Sequence, residues 1–226
     1  MTPAEIARPG ARQWVPAGAA PPELAQAALA CHGCELWDGP TQTVFGEGNI
    51  SSPLVLVGEQ PGDVEDQRGR PFVGPAGRVL DRALEEIGLA REHVYITNAV
   101  KHFRFERGGD GKRRIHKTPE AVHIAACRPW LAAELNAIRP RVITLLGATA
   151  ARALLPPEYR VTRDRGRVFD GPAGSGAKLI GTVHPSAILR TPDDEREDAY
   201  AAFVRDVRVA VDLARSSVGV IPPPAG

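Results

Sequence analysis

Four short apolar runs lie in the middle of the chain, and turn-forming residues separate them. The runs are LVLVG at 54–58, HVYITNAV at 93–100, RVITLLG at 141–147 and KLIGTVH at 178–184. Short, almost continuous apolar runs are typical of parallel strands, because helices cover both faces of a parallel sheet. The pattern therefore predicts a four-stranded parallel sheet.

Longer segments with helical periodicity lie between and after these runs. They span 76–88, 118–137, 148–155 and about 192–214. The second begins with Thr118 as a helix cap, Pro119 at the first position and Glu120 in the first turn. The last has an inward apolar stripe made of Tyr200, Phe203, Val204, Val207 and Val211. Strands that alternate with helices predict the α/β class, with helices packed on the sheet.

Both ends of the chain differ in composition from its middle. Residues 1–20 and 217–226 are rich in proline, alanine and glycine, which predicts poorly ordered segments, although Trp14 is able to dock on the body. The length of 226 residues suits a single domain, which we assign to 21–216. Because no apolar run is long enough to cross a bilayer and no signal peptide is recognisable, we expect a cytoplasmic protein, and a monomer by default.

Positive charge is concentrated in one segment, although the net charge of the chain is only +1. Between residues 101 and 117 the cations are Lys101, Arg104, Arg107, Lys112, Arg113, Arg114 and Lys117. The small net charge does not indicate nucleic-acid binding, so any basic surface must be local. Within GGDGKRRIHKTPE at 108–120, the residues alone make His116 a solvated or phosphate-contacting side chain.

Polar residues follow the predicted strands at the ends where parallel sheets bind ligands. These residues are Glu59, Gln60, Asp63, Asn98 and His184. Each of them alone is explained by capping or by a turn, but together they predict one site. Phe72 lies among glycines and prolines, where it either plugs the sheet edge or stacks on a planar ligand, and the sequence favours neither.

The cysteines indicate a metal centre. Cys31 and Cys34 form CHGC, Cys127 lies in AACRPWL, and His102 directly follows the second strand as a candidate fourth ligand. Three thiolates and an imidazole suit either structural zinc or a [4Fe-4S] cluster, and the spacing does not decide between them. We expect His32 and His123 to lie outside this centre.

The order of GEQPGD, GRPFVGPAG, TNAVKHF, CRPWL and HPS resembles that of the uracil-DNA glycosylase superfamily, specifically its iron-sulfur branch. Gln60, the KRRIH loop that ends at His116, and His102 in place of a cysteine resemble the UdgX type, a covalent uracil-DNA-trapping glycosylase. The resemblance implies a three-layer α/β/α sandwich around the four-stranded parallel sheet. It also implies a [4Fe-4S] cluster held by Cys31, Cys34, His102 and Cys127.

The resemblance further implies roles for the site residues. Phe72 would stack on a flipped uracil, Asn98 would bind its Watson–Crick edge, and His184 would stabilise charge on its O2. Glu59 and Gln60 would lie beside C1′, which His116 would attack. Gly58 and Asp63 would complete the uracil site. The DNA contacts would come from Lys112, Arg113, Arg114, Lys117, Ser186, Leu189 and Arg190.

The implied substrate is uracil-containing DNA, with single strands preferred or equal, because a base is extruded from a duplex only at a cost. The implied products are free uracil and a covalent DNA adduct in which deoxyribose C1′ is joined to His116. Two alternatives stay open at this point. The first is an ordinary hydrolytic iron-sulfur glycosylase that releases an abasic site, and the second is a non-catalytic iron-sulfur DNA-binding sensor.

Overall fold

The strands follow the apolar runs of the sequence closely. The computed structural model describes residues 9–109 and 113–216. The strands in this part of the chain are β1 (Glu47–Gly48), β2 (Leu54–Gly58), β3 (Tyr95–Asn98), β4 (Phe105–Arg107), β5 (Arg114–His116), β6 (Val142–Leu146), β7 (Val168–Asp170) and β8 (Lys178–Thr182). Each of the four predicted runs contains one strand, namely β2, β3, β6 or β8.

The main sheet has the strand order β1-β3-β2-β6-β8-β7. Its four central strands are parallel, with Val55 opposite Tyr95 and Leu145 opposite Gly181. The predicted four-stranded parallel sheet is therefore confirmed as the centre of the fold. Strands β1 and β7 add short antiparallel edges, and their two and three residues are too few to show a period in the sequence.

The helices lie between the strands along the chain. They are α1 (Pro21–Ala28), α2 (Asp63–Arg68), α3 (Pro75–Glu86), α4 (Ala121–Ile138), α5 (Ala148–Leu154), α6 (Val161–Asp164), α7 (Pro185–Arg190) and α8 (Asp193–Ser216). Helix α4 begins later than predicted, because Glu120 rather than Thr118 is its cap residue. The carbonyl of Thr118 accepts a 2.6 Å hydrogen bond from Arg104, and the backbone N–H of Glu120 is bound by His123 Nδ1.

Helices cover both faces of the sheet, which confirms the three-layer α/β/α arrangement. Val55 and Val57 point to a core formed with α1, α4 and α5, whereas Leu54 and Leu56 point to a core formed with α3, α7 and α8. This alternation follows from the period of two in a strand. The predicted apolar stripe of α8 is buried in the second core.

The N-terminal segment packs from Gly10 onward, although its composition led us to expect poor order. The backbone N–H of Gly10 donates to the carbonyl of Gly33 at 3.0 Å, and Ala11 is 1% exposed. Trp14 packs against the first core, as its apolar ring suggested. The segment is ordered because it covers the CHGC loop. Residues 1–8, 110–112 and 217–226 lie outside the described residues.

Candidate active site

The polar residues that follow the strands meet at one end of the sheet. A cavity of about 560 Å³ lies there. Its lining includes Gln60, Asp63, Phe72, Asn98, His116, His184, Ser186, Leu189 and Arg190. Parallel strands β2 and β3 end side by side, with Gly58 opposite Asn98, so residues that are distant in sequence become neighbours.

Gly58 allows the ring of Phe72 and the amide of Asn98 to approach the backbone of β2. A Cβ atom at this position would lie 2.5 Å from Phe72 Cζ and 2.4 Å from Asn98 Oδ1. Such distances are far below van der Waals contact, so no larger residue fits without moving one of these side chains. Gly58 thus sets the floor of a narrow slot beside the Phe72 ring.

The backbone of Phe72 is strained, and hydrogen bonds from Arg91 hold it in place. Its φ of 52° lies in the left-handed region, which costs a non-glycine residue about 1–3 kcal/mol. Arg91 donates to the carbonyl of Phe72 at 3.1 Å and to that of Pro71 at 2.7 Å. A Cβ at Gly77 would lie only 2.0 Å from the Phe72 carbonyl oxygen. Arg91 and Gly77 therefore help to hold the backbone of Phe72 in this conformation.

Asn98 presents an unsatisfied acceptor to this slot. The residue is 2% exposed, and its Oδ1 has no hydrogen-bond partner among the described residues. A buried acceptor without a donor costs about 1–3 kcal/mol. The Asn98 amide is therefore prepared for a ligand that carries an N–H group.

A buried ion pair supports Asn98 from the protein interior. Lys101 is 1% exposed, and its Nζ binds the Glu134 carboxylate, the hydroxyl of Thr97 at 2.7 Å and the carbonyl of Asn98 at 2.8 Å. Glu134 also accepts from the hydroxyl of Tyr95, whose pKa is raised by burial first and by Glu134 second. The sequence placed Lys101 with the basic segment, but the structure places its charge in the core.

His184 is set to donate from Nε2. Its Nδ1 accepts the backbone N–H of Ser186 at 3.2 Å and lies 2.8 Å from the Ser186 hydroxyl, so the proton of the neutral ring is on Nε2. Burial, with smaller effects of His116 and Arg190, lowers the pKa of His184 to about 4. The ring is therefore a neutral donor at neutral pH, and it lies 5.7 Å from the Phe72 ring between centroids.

His116 reaches the site from the hairpin of β4 and β5, in which it lies opposite Phe105. Its Nε2 is 3.4 Å from Glu59 Oε1 and 3.0 Å from Gln60 Nε2. The ring of Phe103 packs beside it, with 5.9 Å between centroids. The side chain is 48% exposed, so this nitrogen lies between the protein and the space that a ligand would enter.

Gln60 joins the two ends of this hairpin. Its Oε1 accepts the backbone N–H of Arg104 at 3.0 Å, which assigns the amide orientation. Its Nε2 then donates to the carbonyls of Arg104 at 3.2 Å and Lys117 at 3.1 Å, and faces His116. His116 Nε2 thus lies between the Gln60 amide nitrogen and the Glu59 carboxylate.

Arg114 points toward the protein rather than toward a DNA ligand, in contrast to the expectation from the sequence. Its Nε lies 2.5 Å from Asp63 Oδ1 and its Nη1 lies 2.5 Å from Asp66 Oδ2. The two carboxylates raise the pKa of Arg114 although burial opposes them. Asp63 lines the cavity and also anchors the hairpin through its ion pair with Arg114.

The remaining expected DNA contacts lie around the cavity or near it. Arg113 is exposed, Lys117 pairs with Glu106 at 2.8 Å, and Lys112 lies outside the described residues. Helix α7 brings Ser186, Leu189 and Arg190 to the cavity, and Leu189 is 42% exposed.

A second cavity of about 380 Å³ adjoins the first and shares His116 and His184 with it. Glu59 lines this cavity, together with Gly147 and Arg190. The sequence did not identify the partner of Glu59 on this side, which is the hydroxyl of Thr149 in the first turn of α5. The one available signal was a small polar residue two positions after Gly147, where the third apolar run ends.

The cysteines and His102 surround a separate, small cavity of about 10 Å³. Its lining includes Cys31, Cys34, His102 and Cys127. In the described part of the chain, no three His, Cys, Asp or Glu side chains are close enough to bind one metal ion. Three cysteines and a histidine around one cavity are residue types that hold structural zinc or an iron-sulfur cluster.

Two N–H groups point at the sulfur atoms of this centre. Trp130 Nε1 donates to Cys31 Sγ at 3.2 Å, and the backbone N–H of Lys101 donates to Cys127 Sγ at 3.3 Å. Hydrogen bonds of this kind stabilise ligating thiolates. Burial, opposed by Lys101, raises the pKa of the Cys127 thiol to about 12, and coordination to a metal would ionise it.

His102 is the fourth polar group of the centre. Burial lowers its pKa to about 4, which keeps the imidazole in the neutral form that binds metals. The other two histidines nearby have different environments. His32 packs on Trp37, with 4.2 Å between ring centroids, and His123 lies at the start of α4, where its Nε2 is 2.8 Å from Glu35.

Comparisons with known proteins agree with this arrangement of residues. The sequence profile of the uracil DNA glycosylase superfamily matches residues 45–208. A type-4 uracil-DNA glycosylase of Thermotoga maritima is 40% identical over 166 residues, which are 73% of this chain and 81% of the relative. The type-4 enzyme of Archaeoglobus fulgidus is 38% identical over 77% of this chain and 86% of its own. A type-5 uracil-DNA glycosylase of Pyrobaculum aerophilum is 30% identical over 68% of this chain and 70% of its own.

Proposed function

Because the chain belongs to the uracil DNA glycosylase superfamily, we propose that it removes uracil from DNA and becomes linked to the deoxyribose through His116. The names of the type-4 relatives support the glycosylase activity. The observation that carries the covalent step is the position of His116 Nε2, 3.4 Å from Glu59 and 3.0 Å from Gln60 beside the strand-end cavity. The resemblance to UdgX-type proteins supports the same step.

Uracil recognition follows from the slot above Gly58. The flipped base stacks on Phe72, a contact worth roughly 1–3 kcal/mol. Asn98 Oδ1, which is unsatisfied in the protein, accepts from uracil N3–H, and the Asn98 amide nitrogen donates to O4. Cytosine presents an acceptor and a donor at the corresponding positions, so it would leave both groups of Asn98 unsatisfied.

Bond cleavage leaves negative charge on the departing base and positive charge on the sugar. His184 Nε2–H donates to uracil O2, and removal of one such donor typically costs 10²–10³ in rate, about 3 kcal/mol. The N1–C1′ bond breaks with both electrons on uracil. The Glu59 carboxylate, which faces His116 Nε2, lies on the side where the oxocarbenium charge develops.

His116, in the tautomer that carries its proton on Nδ1, then bonds to C1′ through Nε2, the ring nitrogen that lies beside Glu59 and Gln60. The alkylated ring is first a cation and then loses its Nδ1 proton to solvent. Expulsion of the neutral ring from C1′ would require an imidazolide, which is a much poorer leaving group than the uracil anion. The adduct is therefore a stable product, and the enzyme acts once.

A denaturing gel tests this proposal. Wild-type protein is incubated with labelled uracil-containing single-stranded DNA, and free uracil and slow-migrating DNA are quantified in the same sample. We expect one uracil released per adduct formed. Release of uracil with many turnovers and no adduct would leave an ordinary hydrolytic glycosylase. That second candidate is favoured by the cavity beside Glu59, which is large enough to supply a water.

His116→Ser separates the two candidates further. The variant removes the nucleophile and opens the space between the two cavities to water. We expect it to release uracil over several turnovers and to leave an abasic site without an adduct. A protein that binds uracil-containing DNA but releases no base in either form would instead be a sensor.

We also propose that Cys31, Cys34, Cys127 and His102 hold a [4Fe-4S] cluster. When bound, the cluster would supply a structural cross-link between the CHGC loop, the residues after β3 and helix α4. The four ligands line a cavity separate from the proposed reaction site, so no step of base removal is assigned to it. Iron and sulfide analysis of the purified protein tests the assignment, and stoichiometric zinc in a colourless sample would contradict it.

A further inference from the structure

The two oxygens of the Glu59 carboxylate have different partners. Oε1 faces His116 Nε2 at 3.4 Å. Oε2 accepts a hydrogen bond from the hydroxyl of Thr149, which is 3% exposed. The carboxylate is therefore held at one oxygen by a buried side chain, while the other oxygen is directed at the proposed nucleophile.

The Thr149 hydroxyl is held in a nearly fixed position by its place in the fold. Thr149 lies in the first turn of α5, beside the buried residues Ala150 and Ala151. A β-branched side chain in a helix has few rotamers, so its hydroxyl moves little. The helix itself begins directly after β6, the strand that pairs with β2. The central sheet thus sets the distance between Thr149 and Glu59.

Glu59 needs such a restraint. Its backbone carbonyl is fixed by the N–H of Val100 at 3.0 Å, but its side chain has three rotatable bonds. Its side chain is 20% exposed, and it lines the second cavity, so water competes for the carboxylate. Without a partner at Oε2, the carboxylate is free to turn toward this water and away from His116.

We infer that Thr149 is a positioning residue, which acts through Glu59 to direct the carboxylate at His116 Nε2 and at the adjacent sugar carbon. This inference rests on the proposed function. Thr149 itself does not touch the reacting atoms. Its hydroxyl sets the orientation of the group that faces the developing positive charge, and misplacement of such a group by about 1 Å lowers rates roughly 100-fold.

Two substitutions of Thr149 separate the effect of its hydroxyl from the effect of its side-chain shape. Thr149→Val keeps the branched shape and removes the hydroxyl, whereas Thr149→Ser keeps the hydroxyl and removes a methyl group. In rapid-quench experiments with excess protein over uracil-containing single-stranded DNA, we expect the maximal rate of uracil release to fall roughly 10- to 100-fold in Thr149→Val. The DNA concentration dependence should stay that of wild type. Thr149→Ser should react within roughly threefold of wild type, because it restores the hydrogen bond.

A double variant tests whether the effect passes through Glu59. Glu59→Gln lacks the negative charge that Thr149 orients, so adding Thr149→Val to it should change the rate little. A further 10- to 100-fold loss in the double variant would show a general structural role and would overturn the inference. If Thr149→Val does not fold, as judged by its thermal transition, Thr149→Ala in both backgrounds provides the same comparison.

The outcomes also separate this inference from the proposed function. Wild-type protein that releases no uracil would contradict both. Wild-type protein that releases uracil without an adduct would contradict the covalent step alone, and the Thr149 comparison is then made on uracil release. An active wild type matched by an equally fast Thr149→Val would overturn the role of Thr149 alone.

Discussion

Arg114 connects the hairpin that carries His116 to helix α2, and its removal should loosen that hairpin. The change we consider is Arg114→Met, which keeps the length of the side chain and removes its charge. Arg114 is bound by Asp63 and Asp66 at 2.5 Å each. Its guanidinium also lies over the ring of Phe105, 5.1 Å from the centroid. The two carboxylate contacts join β5 to helix α2, whereas the contact with Phe105 lies within the hairpin.

The magnitude follows from the burial of the two carboxylates. The Asp63 side chain is 45% exposed, and an exposed pair of this kind contributes about 0–1 kcal/mol. The Asp66 side chain is 0% exposed, and removal of one partner of a buried pair costs about 3–5 kcal/mol. Asp66 keeps the backbone N–H of Thr41 at 2.9 Å. We therefore expect the lower end, about 3 kcal/mol of unfolding free energy.

Urea denaturation measures this loss, and Arg113→Met is the matched control next to it in the chain. Because Arg113 is exposed, its replacement should change stability by no more than about 0.5 kcal/mol. Adduct formation with uracil-containing DNA should slow roughly 10- to 100-fold in Arg114→Met, since His116 loses its fixed position. An Arg114→Met protein as stable as the Arg113 control would refute the anchoring role.

Three further results are expected from the site. Asn98→Asp should lower uracil release by roughly 100-fold or more, because a carboxylate cannot donate to O4 and repels the departing anion; wild-type rates would contradict the role of Asn98. The pKa of His184 is about 4 in the folded protein, against 6.5 for an unperturbed histidine, so its contribution to stability is full above pH 6.5 and is lost as the pH falls toward 4. That contribution is at most about 3 kcal/mol, and urea titrations at pH 5 and 7 should show a smaller pH effect in His184→Asn. Arg91→Lys should weaken binding of uracil-containing DNA several-fold without affecting binding of uracil-free DNA, because one ammonium cannot hold both the Pro71 and Phe72 carbonyls; equal losses on both DNAs would count against it.

The sheet could be predicted because β2, β3, β6 and β8 are buried on both faces, which produces apolar runs that are visible without any tertiary information. The hairpin of β4 and β5 could not. Its strands are three residues long and largely exposed, so they carry charged residues and no apolar period. Its position depends on Gln60 and Arg114, which bind partners far along the chain.

The candidate site, like the fold, could be predicted only in part. Residues at strand ends could be grouped because parallel strands bring their carboxyl ends together, whatever lies between them. The direction of a long side chain cannot be predicted in this way. Arg114 belongs by sequence to a basic loop, and only the folded arrangement shows its charge facing Asp66. The local sequences around Thr149 and Arg91 are ordinary. No sequence pattern therefore indicates that these residues contact Glu59 and Phe72.

The N-terminal segment shows how composition misleads. Proline and alanine are typical of disordered tails, but Ala11 is buried because the backbone of Gly33 leaves room for it. A Cβ at Gly33 would lie 2.8 Å from the backbone nitrogen of Ala11. Gly33 within CHGC thus allows a segment about twenty residues earlier to pack in an ordered conformation. No local sequence pattern indicates this contact.

Mass spectrometry of the intact protein after incubation with a uracil-containing oligonucleotide tests the central claim most directly. We expect a species whose mass is that of the protein plus the oligonucleotide, less one uracil, with the DNA remnant mapped to His116 after digestion. The species should be absent in His116→Ser. A protein that releases uracil without any mass increase, or an adduct that persists in His116→Ser, would contradict the assignment of His116 as the nucleophile.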